Sequence, residues 1–227
     1  MTISSQDPEL GQCVCPTRVI DSDNPEIIEF ARRVTVGKDS DIDRAVALYH
    51  AVRDSIRYDP YRINVSVAGM RASETLARKY GFCVPKAILL AAAARSLRVP
   101  RRLGFADVKN HLSTERLRRS MRTDLFVFHG YTELYLEDKW VKATPAFNAS
   151  LCERFNVEPL DFDGQIDSVF QQIDKDGNVF MQYVRDRGTF VDLPLQEMLA
   201  AFEEHYPSLM SGGTYKLTGA FEDEALS

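Results

Sequence analysis

The 227-residue chain is poor in the features that would decide its class at a glance. It has four cysteines, Cys13, Cys15, Cys83 and Cys152, too few for a disulfide framework in a chain of this size. The Cys13-Val14-Cys15 spacing matches no common zinc pattern, and no second Cys/His pair complements it, so no metal site is expected. Asp174–Asn178 is not a calcium loop of the EF-hand type, because its glycine comes too early. No run of 18 apolar residues occurs, which argues against a transmembrane helix. The opening MTISSQDPELGQ lacks a charged-then-apolar signal pattern. The net charge of −5 gives no global field for nucleic acid. These absences predict a cytoplasmic protein with no membrane or nucleic-acid partner. An apolar content of 44% and a charged content of 27% are ordinary for a globular chain able to bury a core without staples.

Helical signals come first. Asn24-Pro25 pairs a capping residue with a proline at the first helical position, opening a helix to about Val34. Ser40-Asp41 opens a second, with Ile42, Ala45, Val46, Tyr49, Val52 and Ile56 at helical spacing, ending near Tyr58. A short helix is expected over 74–80. The segment 84–98 is apolar almost all round, which predicts a buried helix that Pro100 stops. A strand follows at Leu103–Val108, then a short basic helix at Thr114–Met121.

Strand signals dominate afterwards. Leu125–Leu136 alternates, with Phe126, Phe128, Leu134 and Leu136 on one parity and Val127, His129, Tyr131, Glu133 and Tyr135 on the other. Glu137-Asp138 turns the chain into Lys139–Thr144. A two-residue turn sets Tyr135 opposite Trp140, Glu133 opposite Lys142 and Tyr131 opposite Thr144, and the Glu133–Lys142 charge pair favours that register. Strands at 167–173 and 178–184 are expected to flank a hairpin turn, Asp174–Asn178, with a helix at 194–205 beyond. Helices before antiparallel strands imply an α+β fold. The expected organisation is an irregular segment at 1–20, a core at 21–150, an extension at 151–210 and a loosely held tail at 211–227.

One cysteine stands apart. In KYGFCVPKAILLAAAARSLRVP, Pro85 places Cys83 at the start of the buried helix. The partial positive charge there favours thiolate and a lowered pKa, although cysteine is also among the most buried residue types and can simply pack. A nucleophilic thiolate needs an imidazole. His50, His111 and His205 have ordinary explanations on a helix face, in a polar loop and at a helix C-terminus. His129 sits inside a strand, and Thr144 would lie diagonal to it.

The segment GFCVPKAILLAAAARSLRVPRRLGF resembles the cysteine segment of the transglutaminase-like superfamily. HGYTELYLEDKWVKATP is similar to that family's histidine segment, and DRAVALYHAVRDSIRYDP to its preceding helix. The resemblance covers about residues 20–150. It implies a papain-like/transglutaminase-like α+β core, with N-terminal helices packed on an antiparallel sheet. It implies Cys83 as nucleophile, His129 as base and no cofactor. The expected activity is acyl transfer from, or hydrolysis of, peptide or protein amides through a thioester. The third family residue is an aspartate, whereas this chain has Thr144, which can accept a hydrogen bond but brings no charge. Asn148 or Asp124 are alternatives for orienting the ring. Tyr131 and Tyr135 either line a substrate groove or cover the sheet, and Trp140 packs or shields the site. The missing aspartate also admits a non-catalytic module that binds peptides or partner proteins. A redox sensor would need Cys152 as resolving thiol. Arg101, Arg102, Arg116, Arg118, Arg119 and Arg122 form a basic cluster whose default reading is a solvated face.

Overall fold

The structure is a computed structural model that describes residues 8–111, 114–207, 214–217, 219 and 221–224. In chain order the elements are α1 (Pro8–Gln12), α2 (Pro25–Val34), α3 (Asp41–Ser55), β1 (Arg57–Tyr58), β2 (Arg62–Asn64), α4 (Val67–Met70), α5 (Ala72–Arg78), β3 (Tyr80–Gly81), α6 (Cys83–Ser96), β4 (Arg101–Asn110), α7 (Glu115–Met121), β5 (Leu125–Leu136), β6 (Lys139–Ala143), α8 (Ala149–Arg154), β7 (Met181–Phe190), α9 (Leu195–His205) and β8 (Thr214–Lys216). A 3₁₀ turn, Phe221–Glu224, follows. The sheet β6-β5-β4-β7 is antiparallel throughout, so the α+β expectation holds.

The capping chemistry acts where the residues suggested. Asn24 accepts from the Glu26 N–H at 2.9 Å to start α2, and Ser40 accepts from the Asp43 N–H at 3.0 Å to start α3. Every residue of α6 from Cys83 to Arg95 is buried. α2, α3 and α5 pack against it, as do β4 and β5, and its alanines Ala91–Ala94 allow that close approach. Two cations lie inside this apolar packing. Lys86 donates to the carbonyls of Arg53 at 2.9 Å and Ile56 at 2.5 Å, which are open acceptors at the C-terminus of α3. Burial pulls its amine down to about 7. Arg95 donates to the carbonyls of Cys15, Arg101 and Val191, tying the N-terminal segment, β4 and the approach to α9 together.

The β5–β6 ladder has the register expected from charge pairing: Tyr135 opposite Trp140 and Glu133 opposite Lys142. Glu137 and Asp138 form the two-residue turn with φ of 47° and 62°, both left-handed. Other expectations need correction. Residues 167–173 form no strand; they contribute only the isolated bridges Ser168–Ala143 and Ile173–Val179. The strand expected at 178–184 starts at Met181 and continues to Phe190. Among the described residues it pairs only with β4, its register slips twice and Gly188 has a φ of 86°, so its sequence QYVRDRG carries no clean alternation. The Asp174 turn is present, with the Asp174 carboxylate accepting from the N–H groups of Asp176 and Asn178. The N-terminal segment holds a short helix, α1. The described part of the tail is packed: β8 pairs with β2, and Phe221 is buried against Tyr58, Tyr61 and Phe155.

Candidate active site

α6 begins at Cys83, with Phe82 at the capping position. Phe82 has no side-chain acceptor, unlike the capping residues of α2, α3 and α7. The N–H groups of the first turn therefore keep no capping partner, and a thiol stands beside them. β5 approaches this helix start closely at Gly130. A methyl group there would come within 3.1 Å of the Val84 Cα, so a larger residue would require the neighbouring backbone to give by a few tenths of an ångström.

Just before Gly130 the strand is irregular. Ala106 pairs with His129 while Val108 pairs with Phe126, so β5 carries one extra residue at Val127–Phe128. Phe128 has a φ of 56°, uncommon for a bulky residue. Side chains hold the bulge. The Asp107 carboxylate accepts from the Phe128 N–H at 3.1 Å and from the Arg187 guanidinium. The Tyr206 hydroxyl accepts from the Val127 N–H at 2.6 Å and donates to the Leu125 carbonyl at 3.0 Å. Asp107, Arg187 and Tyr206 thus position the segment that carries His129. Sequence reading did not find them, because an alternating strand pattern does not announce a bulge.

Cys83 and His129, from distant parts of the chain, line one cavity with Tyr58, Phe82, Val127 and Phe128 among its other walls. Both are buried, at 8% and 4% exposure. Burial pushes the Cys83 thiol up to about 11, while the backbone N–H groups of Gly130, Val84 and Cys83 itself pull it down. The expected helix-terminus effect is thus present, but desolvation outweighs it and the net direction is upward. Burial holds the His129 imidazole down at about 4. Both directions favour a thiol and a neutral ring at neutral pH. The ring's Nε2 is buried without a hydrogen-bond partner, so it engages neither the sulfur nor an orienting acceptor.

Thr144 follows β6 directly and is buried, and its Oγ1 also has no partner. Its backbone is fixed, with the N–H donating to the Ser168 carbonyl at 2.9 Å and the carbonyl accepting from the Tyr49 hydroxyl at 3.2 Å. Asn148 is committed elsewhere. It accepts from the Tyr58 N–H at 2.9 Å and donates to Ser150 at 2.7 Å and Glu222 at 3.1 Å. Asp124 gives its backbone carbonyl to the Asn110 N–H. Neither residue, nor Thr144, is among those lining the Cys83 cavity.

Tyr131, Tyr135 and Trp140 do not line that cavity either. Thr132 donates to the Ala87 carbonyl at 2.9 Å, which puts the alternate residues Tyr131, Glu133 and Tyr135 on the face away from α6. Tyr131 lies over Gly104, where an added methyl would meet its ring at 2.2 Å. Arg102 binds Glu133 at 2.7 Å and covers the Trp140 ring at 4.2 Å, and Tyr135 meets Trp140 edge-on. The basic cluster is spread out: Arg101 is buried, Arg116 pairs with Glu224 at 2.8 Å and Arg119 pairs with Glu115. Cys152 is buried in a separate apolar cluster with Tyr131, and burial raises its thiol to about 12. Among the described residues no group of three or more His, Cys, Asp or Glu side chains could hold a metal ion, and no helix is long and apolar enough to cross a membrane.

Comparison with known proteins bears on the family and the fold. No curated protein matches the sequence. Among solved structures, a candidate cysteine protease from Cytophaga hutchinsonii shares the fold, with 14% identity and a TM-score of 0.51 over 84% of this chain and 57% of that one. The chain therefore spans little more than half of that protein's length. A candidate protease from Parabacteroides distasonis aligns at 14% identity with a TM-score of 0.40, over 62% of this chain and 26% of that one. The family model of the transglutaminase-like superfamily matches residues 28–145, just over half of the chain, from α2 to the residue after Thr144. The chain belongs to the transglutaminase-like superfamily.

Proposed function

We propose that the protein is a cysteine enzyme that transfers or hydrolyses the acyl group of peptide or protein amides through a thioester on Cys83, with His129 as base. The observation that carries this reading is the shared cavity, in which an uncapped helix start and a strand bulge deliver the thiol and the imidazole. Thr144 stands at the third family position. Burial raises the thiol and lowers the imidazole, and both directions oppose a resting ion pair. The sulfur proton therefore moves to His129 as the C–S bond forms, not beforehand. The carbonyl π pair goes to oxygen, where the N–H groups of Cys83 and Gly130 receive the charge. Collapse breaks the C–N bond, and His129 returns the proton to the leaving amine. Water or a second amine then cleaves the thioester. Thiol and imidazole suffice for these steps.

A second reading, a weakly active or inactive module that binds peptides, is favoured by the raised thiol and by a threonine in place of an aspartate. Turnover decides between them. Amine release and amine incorporation are measured with glutamine-containing and aliphatic peptides, for the native chain and for Cys83→Ala. Turnover lost in Cys83→Ala supports the enzyme. Peptide binding without turnover in either protein supports the module.

A further inference from the structure

We infer that the cavity beside Cys83 is an acyl-side pocket that selects an aliphatic side chain of about leucine size, and that the C-terminal part of the chain builds one of its walls. The inference rests on the proposed role of Cys83 and adds the substrate class. Beyond the thiol and imidazole, the walls come from Pro60 and Ile63, from Leu117 and Met121 of α7 and from Phe202 of α9, with Tyr206 just after it. Among the described residues, no charged side chain lines it. The Tyr206 hydroxyl is spent on the bulge, through Val127 and Leu125, which leaves its ring to face the space.

Size sets the second half of the argument. The cavity is about 60 Å³. A water-sized centre needs roughly 10–15 Å³, so there is room for about four to six heavy atoms, which accommodates the four carbons of an isobutyl group. An amide side chain of equal shape would enter with its donors and acceptors largely unpaired, which a carbon-lined space penalises. α9 lies outside residues 28–145, so this wall is an addition to the part matched by the family model.

The test uses N-acetyl-leucine, N-acetyl-asparagine and N-acetyl-phenylalanine chloromethyl ketones, with iodoacetamide as a reagent that needs no pocket. In each case the Cys83 sulfur displaces halide, the C–S bond forms, the carbon–halogen bond breaks and the thiol proton leaves through His129. Rates are read by mass spectrometry of the Cys83 peptide and divided by the rates with a free thiol. Leucine and asparagine have the same shape, so their ratio isolates polarity; about 100-fold in favour of leucine is expected. Leu117→Phe, which fills the space, should abolish that preference, and Phe202→Ala should move it toward the phenylalanine reagent. Equal normalised rates for leucine and asparagine, with Cys83 still labelled by iodoacetamide, overturn the pocket and leave the nucleophile standing. Cys83 unlabelled by every reagent overturns both. The native ratio decides the matter even if a variant fails to fold.

Discussion

A buried imidazole with no carboxylate beside it makes folding sensitive to acid. His129 is held at about 4 by burial, against an ordinary 6.5 in the unfolded chain. Above pH 6.5 neither state binds the proton, and its full contribution is present. Between pH 6.5 and 4 only the unfolded state binds it, so stability falls with pH by about 3 kcal/mol in total and levels off below 4. Urea unfolding of the native chain and of His129→Gln from pH 7 to 4 checks this: the variant should lack that portion of the loss. If Thr144 faces the ring, Thr144→Asp should shrink the loss by restoring a partner for the cation; an unchanged slope would uncouple the two positions. At this scale the sequence showed the identities but not the energies. Cys83 and His129 could be picked out from their motifs, and a helix start next to a thiol could be inferred from Pro85. The extent of burial, which reverses the expected direction at Cys83, depends on α9 and the bulge and is not written in any local pattern.

Among the elements, the β5–β6 hairpin was the most legible. One opposite-charge pair, Glu133 with Lys142, selected its register correctly, because a one-residue slip would have turned every side chain over. Its turn is paid for in backbone strain, since Glu137 is poorly suited to a left-handed conformation and Asp138 tolerates it less well than glycine. Glu137→Asn with Asp138→Gly, the residues such a turn favours, should stabilise the protein by about 1 kcal/mol and raise the melting temperature by about 2–4 °C. A scan of thermal unfolding measures it, and an unchanged or lower midpoint would contradict the strain. The β5 bulge and the edge strand β7 were not legible, for a common reason. Both depend on tertiary partners, Asp107, Arg187 and Tyr206 for the bulge and β4 for the edge, that lie far away in the chain.

For the whole molecule, the C-terminal region is structural rather than an appendage. Phe221 packs against Tyr58, and Glu222 holds Asn148, which in turn holds the Tyr58 backbone. Tyr58 lines the Cys83 cavity. Phe221→Ala should therefore cost about 3 kcal/mol, read as a melting temperature lower by about 6–12 °C. No shift would mean that the tail is as loosely held as its polar, glycine-containing sequence suggests. That sequence misled because its anchors, one aromatic ring and two carboxylates, are spaced too irregularly to form a pattern.

The absent side chain of Gly130 reaches further than its size implies. The Cys83 helix and the His129 strand approach so closely there that an added methyl would lie 3.1 Å from the Val84 Cα. The two backbones thus meet one residue away from Cys83 and one residue away from His129. A single added carbon at that point would press on the Val84 backbone and ask it to give by a few tenths of an ångström, one residue from each of the two groups.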